Sequence, residues 1–122
     1  MRSTVISVVL DVCAVLAFVA IGRHTHHDGD SLAGVLYTSG PFLGGLVIGL
    51  LAARAWRHPL DLVPAGLGAW LGASVAGMVI RVLAGQGTAA AFIVVTLAFL
   101  GLFILGWRIV FRIVTTRLNA AH

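Results

Sequence analysis

One carboxylate in this chain interrupts a run of apolar residues. Asp11 lies inside the run that extends over residues 4–22. If this run is a membrane helix, a charge there costs about 2.5–3.5 kcal/mol, and such residues face other helices. Asp11 is therefore the candidate intramembrane acid. Two interpretations stay open: a structural ion pair or hydrogen-bonded acid, and a group that gains and loses a proton during function.

The depth of Asp11 in the membrane limits its partners. Asp11 follows Thr4 by seven residues, which places it about 10 Å from the membrane surface where the helix begins. Arg81 lies 19 residues beyond Leu62, about 28 Å from that surface. We therefore predict that Arg81 does not pair with Asp11 and instead meets the loop that contains Asp28 and Asp30. The expected partners of Asp11 are Arg54, Arg108 and the hydroxyls of Ser7 and Thr96.

A polar segment follows the first apolar run and reads His-Thr-His-His-Asp-Gly-Asp from residue 24. Imidazole and carboxylate groups suit zinc, copper or nickel. A single loop gives them no fixed scaffold, so we predict no metal and no cofactor, and a pH-sensitive or ligand-binding loop stays the alternative. The predicted outer polar cap, held by internal ion pairs or binding an anion, consists of Arg23, His24, His26, Asp28, Arg81 and Gln86.

Glycines recur at four-residue spacing in the second and third apolar runs. Small residues four apart make a flat stripe along which another helix can approach closely. This pattern predicts helix packing, either inside one chain or between copies. The predicted packing residues are Gly40, Gly44, Gly45, Gly49, Gly68 and Gly72.

These residues must be positioned by membrane helices, because four apolar runs reach the roughly 20 residues that cross a bilayer. The runs cover residues 4–22, 34–53, 62–83 and 88–111. The connections are short, so consecutive helices should be antiparallel neighbours. The sequence predicts an all-α fold with one four-helix transmembrane domain over residues 1–122.

The composition supports the membrane assignment and excludes other classes. The chain is 60% hydrophobic and 10% charged, whereas soluble domains are about 25% charged. The arginines stand singly at the ends of apolar runs, which indicates contact with the lipid bilayer and not with nucleic acid. The one cysteine, Cys13, excludes an internal disulfide and is expected to be a small buried side chain.

The distribution of arginines predicts the orientation, since basic residues concentrate on the cytoplasmic side. With both chain ends inside, Arg23 and Arg81 lie outside. The other six lie inside: Arg2, Arg54, Arg57, Arg108, Arg112 and Arg117.

Four segments together resemble a family of small bacterial four-helix membrane proteins that has no assigned activity. The segments are Leu10-Asp11-Val12, Ile21-Gly22-Arg23-His24, Gly40-Pro41-Phe42 and the stretch from Arg81 to Thr88. The resemblance implies the four-helix topology and a bacterial plasma membrane, and it directs attention to Asp11, Arg23, Arg81, Gln86 and Gly87. Small multidrug transporters are also short four-helix chains with an acid in the first helix, but that acid is Glu and the motif around it differs.

Two functions remain open on the sequence. In the first, the chain is a non-enzymatic accessory or scaffold subunit that packs through its glycine faces against itself or a larger membrane complex. In the second, it is a small oligomeric carrier of protons or a small solute, with Asp11 as the titrating group. An enzyme is not expected, because the sequence does not place a nucleophile and a general base where the fold would bring them together. An Asp11 that is shielded from water and paired with an arginine would favour the first function. A polar path that connects Asp11 to water would favour the second.

Overall fold

The computed structural model describes residues 2–25, 32–85 and 90–120, with the side chains of all of these except residues 23–25, 32, 33 and 120. Helix α1 is Arg2–Thr25, α2 is Leu32–Ala52, α3 is Leu62–Leu83, and α4 spans residues 90–120. All four are long and apolar enough to cross a membrane. The prediction of an all-α protein with four membrane helices is therefore confirmed, and the direction in which they cross stays a prediction.

The helices form a ring in which α1 packs against α2 and α4, and α3 packs against the same two helices. The start of α1, the end of α2, the start of α3 and the end of α4 share one end of the bundle, which we call the 53–61 end after the connection between α2 and α3. Aromatic rings fill the other half of the core. Phe18 meets Phe42 edge-on at 5.7 Å between ring centroids and lies 6.2 Å from Phe92.

Glycines bring α2 and α3 into direct backbone contact. A Cβ added at Gly49 would overlap the carbonyl oxygen of Gly68 and lie 2.8 Å from the Cα of Gly72, and one at Gly45 would lie 2.5 Å from the amide nitrogen of Gly77. The glycine stripe is thus used inside the chain. Membrane helices associate through such close van der Waals packing, because burying apolar surface gains nothing in lipid.

Two of the predicted packing glycines take less part in this contact. Among the described residues, a Cβ at Gly44 would meet the end of the Ile80 side chain alone, at 3.3 Å. Gly40 is exposed, and a Cβ there would find no described atom within 4 Å. Within the described residues Gly40 therefore takes no part in the contact with α3, because it faces away from that helix, and its assignment to packing between copies stays a prediction.

Helix α2 ends in a turn that the sequence did not predict. The amide of Arg54 donates to the carbonyl of Leu51 at 3.2 Å, and the amide of Ala55 donates to that of Leu50 at 3.0 Å. This pair of bonds is a Schellman motif, which places one residue in the left-handed region. That residue is usually glycine but here is Arg54, with a φ of 52°. The chain then turns under the bundle and buries Ala55 and Pro59.

Helix α4 continues to Ala120, past the expected end at residue 111. The segment Gly106–Ala120 is amphipathic: Val110, Val114 and Leu118 follow one side at four-residue spacing, and Arg112 lies on the opposite side. The predicted end was the last residue of the apolar run, whereas the helical hydrogen bonds continue through the polar residues that follow it. Cys13 was expected to be buried and is exposed on α1, so that prediction is wrong.

Short π-helical segments interrupt α3 at Gly72–Ala76 and α4 at Gly101–Leu105. At its start, α3 has a kinked turn over Leu62–Gly66 in which Val63 is extended, with φ −126° and ψ 127°. π-Helical turns are often found where a helix adjusts to a neighbour or a site. Beside the one in α4, the indole N–H of Trp70 donates to the carbonyl of Leu97 at 2.9 Å. A Cβ at Gly101 would lie 3.1 Å from the same indole nitrogen. The glycine therefore leaves room for the bond that ties α3 to α4.

Candidate functional site: a buried aspartate–arginine pair

The site lies inside the bundle near the 53–61 end, where α1 and α4 face each other. Helix α1 contributes Asp11 and helix α4 contributes Arg108, and both side chains are 0% exposed. The apolar residues around Asp11 make α1 a membrane helix, and the polar side chain turns inward because lipid offers it no partner. Arg108 lies on the polar side of α4 that also carries Arg112.

The two side chains form a bidentate ion pair. Nη1 of Arg108 donates to Oδ1 of Asp11 at 2.8 Å, and Nη2 donates to Oδ2 at 2.9 Å. The planar guanidinium matches the two carboxylate oxygens, and this geometry is the strongest that an arginine and an acid can adopt. Both oxygens of Asp11 are therefore occupied by the same partner.

Further groups complete the pair. The indole N–H of Trp107 donates to Oδ1 of Asp11 at 2.9 Å, and the Trp107 ring lies 4.3 Å from the Cζ of Arg108. Nε of Arg108 donates to the carbonyl of Pro59 at 3.1 Å, and Nη1 also donates to that of Ile104 at 3.3 Å. A buried ion pair is stable only when such additional bonds satisfy its remaining donors and acceptors.

This arrangement can hold three parts of the chain together. Asp11 belongs to α1, Arg108 to α4, and Pro59 to the connection that passes under the bundle. Any other partner of Asp11 would have to displace a charge-assisted bond from Arg108 and would leave the arginine charged in an apolar interior. The geometry therefore suits a structural lock better than a proton relay.

Arg108 was one of the expected partners of Asp11, and the depth argument against Arg81 holds. The other expected partners do not bind Asp11 in the described part of the chain. Arg54 is exposed in the turn after α2, and the hydroxyls of Ser7 and Thr96 donate to the carbonyls of Thr4 and Phe92 within their own helices. Such bonds to a preceding carbonyl are the usual local alternative for a hydroxyl in a helix.

Arg81 lies at the other end of the bundle against aromatic rings. Its Cζ is 4.7 Å from the centroid of Phe92 and 5.8 Å from that of Phe42, distances at which a cation is attracted to a ring face. The expected contacts of Arg81 with Asp28 and Asp30 lie outside the described residues.

The predicted outer polar cap is described only in part. His26, Asp28 and Gln86 lie outside the described residues, and Arg23 and His24 are described for their backbone alone. Within the described part of the chain, no three potential metal ligands come together. The cap and the ligand-binding loop stay predictions.

Sequence reasoning missed Trp107 and Pro59 as members of the site. A tryptophan near the end of a membrane helix is commonly an interfacial anchor, so the residue type alone did not indicate a buried site. Its position next to Arg108 was the available signal, because adjacent residues at the end of a helix can both lean toward one buried group. The carbonyl of Pro59 left no signal in the sequence, since every residue has a carbonyl.

A family model described as "Protein of unknown function (DUF3054)" matches residues 8–111. The chain belongs to this family. The DUF3054 match includes Asp11, the connection at residues 53–61 and Arg108, and it ends inside α4 before Arg112. The chain has no significant match among curated proteins or among solved structures. Family and fold together describe a small multi-pass membrane protein of unknown function.

Proposed function

We propose that this chain is a non-enzymatic accessory subunit of a membrane assembly in the bacterial plasma membrane. The observation that supports this proposal is the state of Asp11, which is fully buried and bound through both oxygens by Arg108. A carrier that used Asp11 would need that carboxylate to meet water or a substrate during its cycle. The small oligomeric carrier of protons or a solute is therefore the less favoured function.

A lipid-facing groove between α2 and α3 offers a surface for the partner. Its volume is about 920 Å³, and none of the described residues that line it is charged. Small residues such as Gly49, Ala52 and Gly72 form part of its lining, and Val75 and Val79 flank them. A floor of small residues between branched side chains fits the ridge of an apolar helix. The occupant we propose is a transmembrane helix of a different protein, with a second copy of this chain as the competing outcome.

The proposed subunit role predicts no transport and a groove-dependent assembly. In sealed vesicles under an imposed potential, the purified chain should give no proton flux above protein-free vesicles, and Asp11→Asn should behave alike. In mild detergent, the mass of the undenatured protein should be that of a larger assembly. The substitution Val79→Trp should dissociate this assembly. Val94→Trp is the control, because Val94 is exposed on α4 outside the groove. Proton flux of the wild type that a folded Asp11→Asn variant, checked by its helical content, no longer shows would establish the carrier instead.

The arginine distribution supports a cytoplasmic position for both chain ends, with six arginines inside and two outside. Reporter domains fused to the two ends should therefore both report the cytoplasm. A fusion in the connection between α1 and α2 serves as the control and should report the outside. An external signal from either chain end would overturn this orientation.

A further inference from the structure

Two neighbouring cavities open at the 53–61 end, between the first turns of α1 and the connection to α3. The polar one has a volume of about 330 Å³ and is lined by Ser3, Arg57, His58 and Asp61 among others. The apolar one has a volume of about 240 Å³ and is lined by residues that include Val8, Val47 and Leu51. Thr4, Trp56 and Pro59 line both cavities, so the two lie side by side.

The polar cavity presents opposite charges that do not pair with each other. Arg57 and Asp61 line the same space, yet within the described part of the chain the ion pair that forms is Asp11 with Arg108. Asp61 precedes the kinked turn that begins α3, in which Val63 is extended, and its side chain makes no cap hydrogen bond. The guanidinium and the carboxylate are both exposed and available to a ligand.

The apolar cavity continues toward the membrane. Val47 is 53% exposed and Leu51 is 60% exposed, on the lipid-facing side of α2. Trp56, which lines both cavities, is also half exposed, and tryptophan favours the level where head groups meet acyl chains. A ligand that fills both cavities must therefore join a charged head to an apolar chain.

We propose that this crevice binds a phospholipid whose head group carries an ammonium beside its phosphate, as phosphatidylethanolamine does. Arg57 and His58 bind the phosphate, and Asp61 accepts hydrogen bonds from the ammonium. One acyl chain lies against Val8, Val47 and Leu51. Charge complementarity selects this class, because an anionic head group without an ammonium would pair with Arg57 and leave the Asp61 carboxylate without a counter-charge. The site is independent of the proposed subunit role.

The test uses the purified full chain in detergent and measures lipid binding by native mass spectrometry. Phosphatidylethanolamine should bind about tenfold more tightly than phosphatidylcholine, whose ammonium has no N–H to donate to Asp61. A tenfold difference corresponds to about 1.4 kcal/mol. Phosphatidylglycerol should bind more weakly as well. Glycerophosphoethanolamine, which has the head group without acyl chains, should not compete at comparable concentration.

Three substitutions assign the contacts. Asp61→Asn should abolish the preference for phosphatidylethanolamine over phosphatidylcholine, and Arg57→Gln should weaken binding of all phospholipids. Val8→Trp should block the apolar cavity. The matched controls are Arg117→Gln, which removes the same charge at the same end of the bundle, and Val94→Trp on the surface of α4. Helical content and elution volume confirm that each variant folds.

Each alternative result contradicts the proposal in a distinct way. Tighter binding of phosphatidylglycerol that depends on Arg57 would show an anionic lipid site. Equal effects of Arg57→Gln and Arg117→Gln would show general charge attraction at the membrane surface. Competition by glycerophosphoethanolamine would show a site for soluble head groups. None of these outcomes bears on the assembly or flux measurements, so the two proposals fail separately.

Discussion

Replacing Arg108 with methionine should destabilise the protein by about 3–5 kcal/mol, the usual cost of removing one partner from a buried ion pair. The substitution leaves the Asp11 carboxylate buried with the Trp107 indole as its remaining polar contact. It also leaves the carbonyl of Pro59 without the bond from Nε of Arg108. The free energy of unfolding, measured by steric trapping in lipid micelles, reports the loss.

Replacing both charges should restore most of that stability. In the double variant Asp11→Leu with Arg108→Met, no charge remains buried, and well-packed apolar residues often match or exceed the ion pair they replace. We expect the double variant to be more stable than either single variant. This sign of coupling distinguishes a pair from two independently important residues, for which the losses would add.

Arg108→Lys is the matched control for charge. Lysine keeps the positive charge but cannot bind both oxygens of Asp11 with a planar fork or reach Pro59 in the same geometry. We expect a stability between those of the wild type and Arg108→Met. If Arg108→Met has wild-type stability, or if the losses in the double variant simply add, the ion pair is not the lock between α1 and α4.

The second large effect is expected at the contact between α2 and α3. Gly49→Ala should destabilise the protein by about 1–3 kcal/mol, the range for overpacking a tight interface. The added methyl group would overlap the carbonyl oxygen of Gly68 and lie 2.8 Å from the Cα of Gly72, and a backbone cannot move aside as a side chain can. Gly49→Leu should largely prevent folding, measured as the folded yield after extraction.

Gly106→Ala is the control for the glycine substitution. A Cβ at Gly106 would find no described atom within 4 Å, so the change tests helix propensity without crowding. Alanine favours a helix over glycine by about 1 kcal/mol, and Gly106→Ala should therefore be neutral or stabilising. A stabilising effect of Gly49→Ala of the same size would mean that α2 and α3 do not touch at these glycines.

The sequence by itself determined the number of helices, their approximate ranges and the fact that Asp11 turns inward. These features follow from local quantities: the length of apolar runs, the thickness of the bilayer and the cost of a charge in lipid. The depth of Asp11 also excluded Arg81 as its partner, because rise per residue is fixed in a helix. The spacing of Gly45, Gly49, Gly68 and Gly72 likewise predicted a close helix contact.

The tertiary structure decided which surfaces meet. Arg54 and Arg108 lie at similar depth, and the sequence could not choose between them. The choice depends on the order of the helices around the ring, the rotation of α4 about its axis and the turn at Arg54 that removes this side chain from the bundle. Gly40 and Gly44 lie on the same helix as Gly45 and Gly49 and differ from them in the direction that they face around the helix axis. Rotation and ring order are set by the packing of all four helices at once, and no single segment of the sequence contains them.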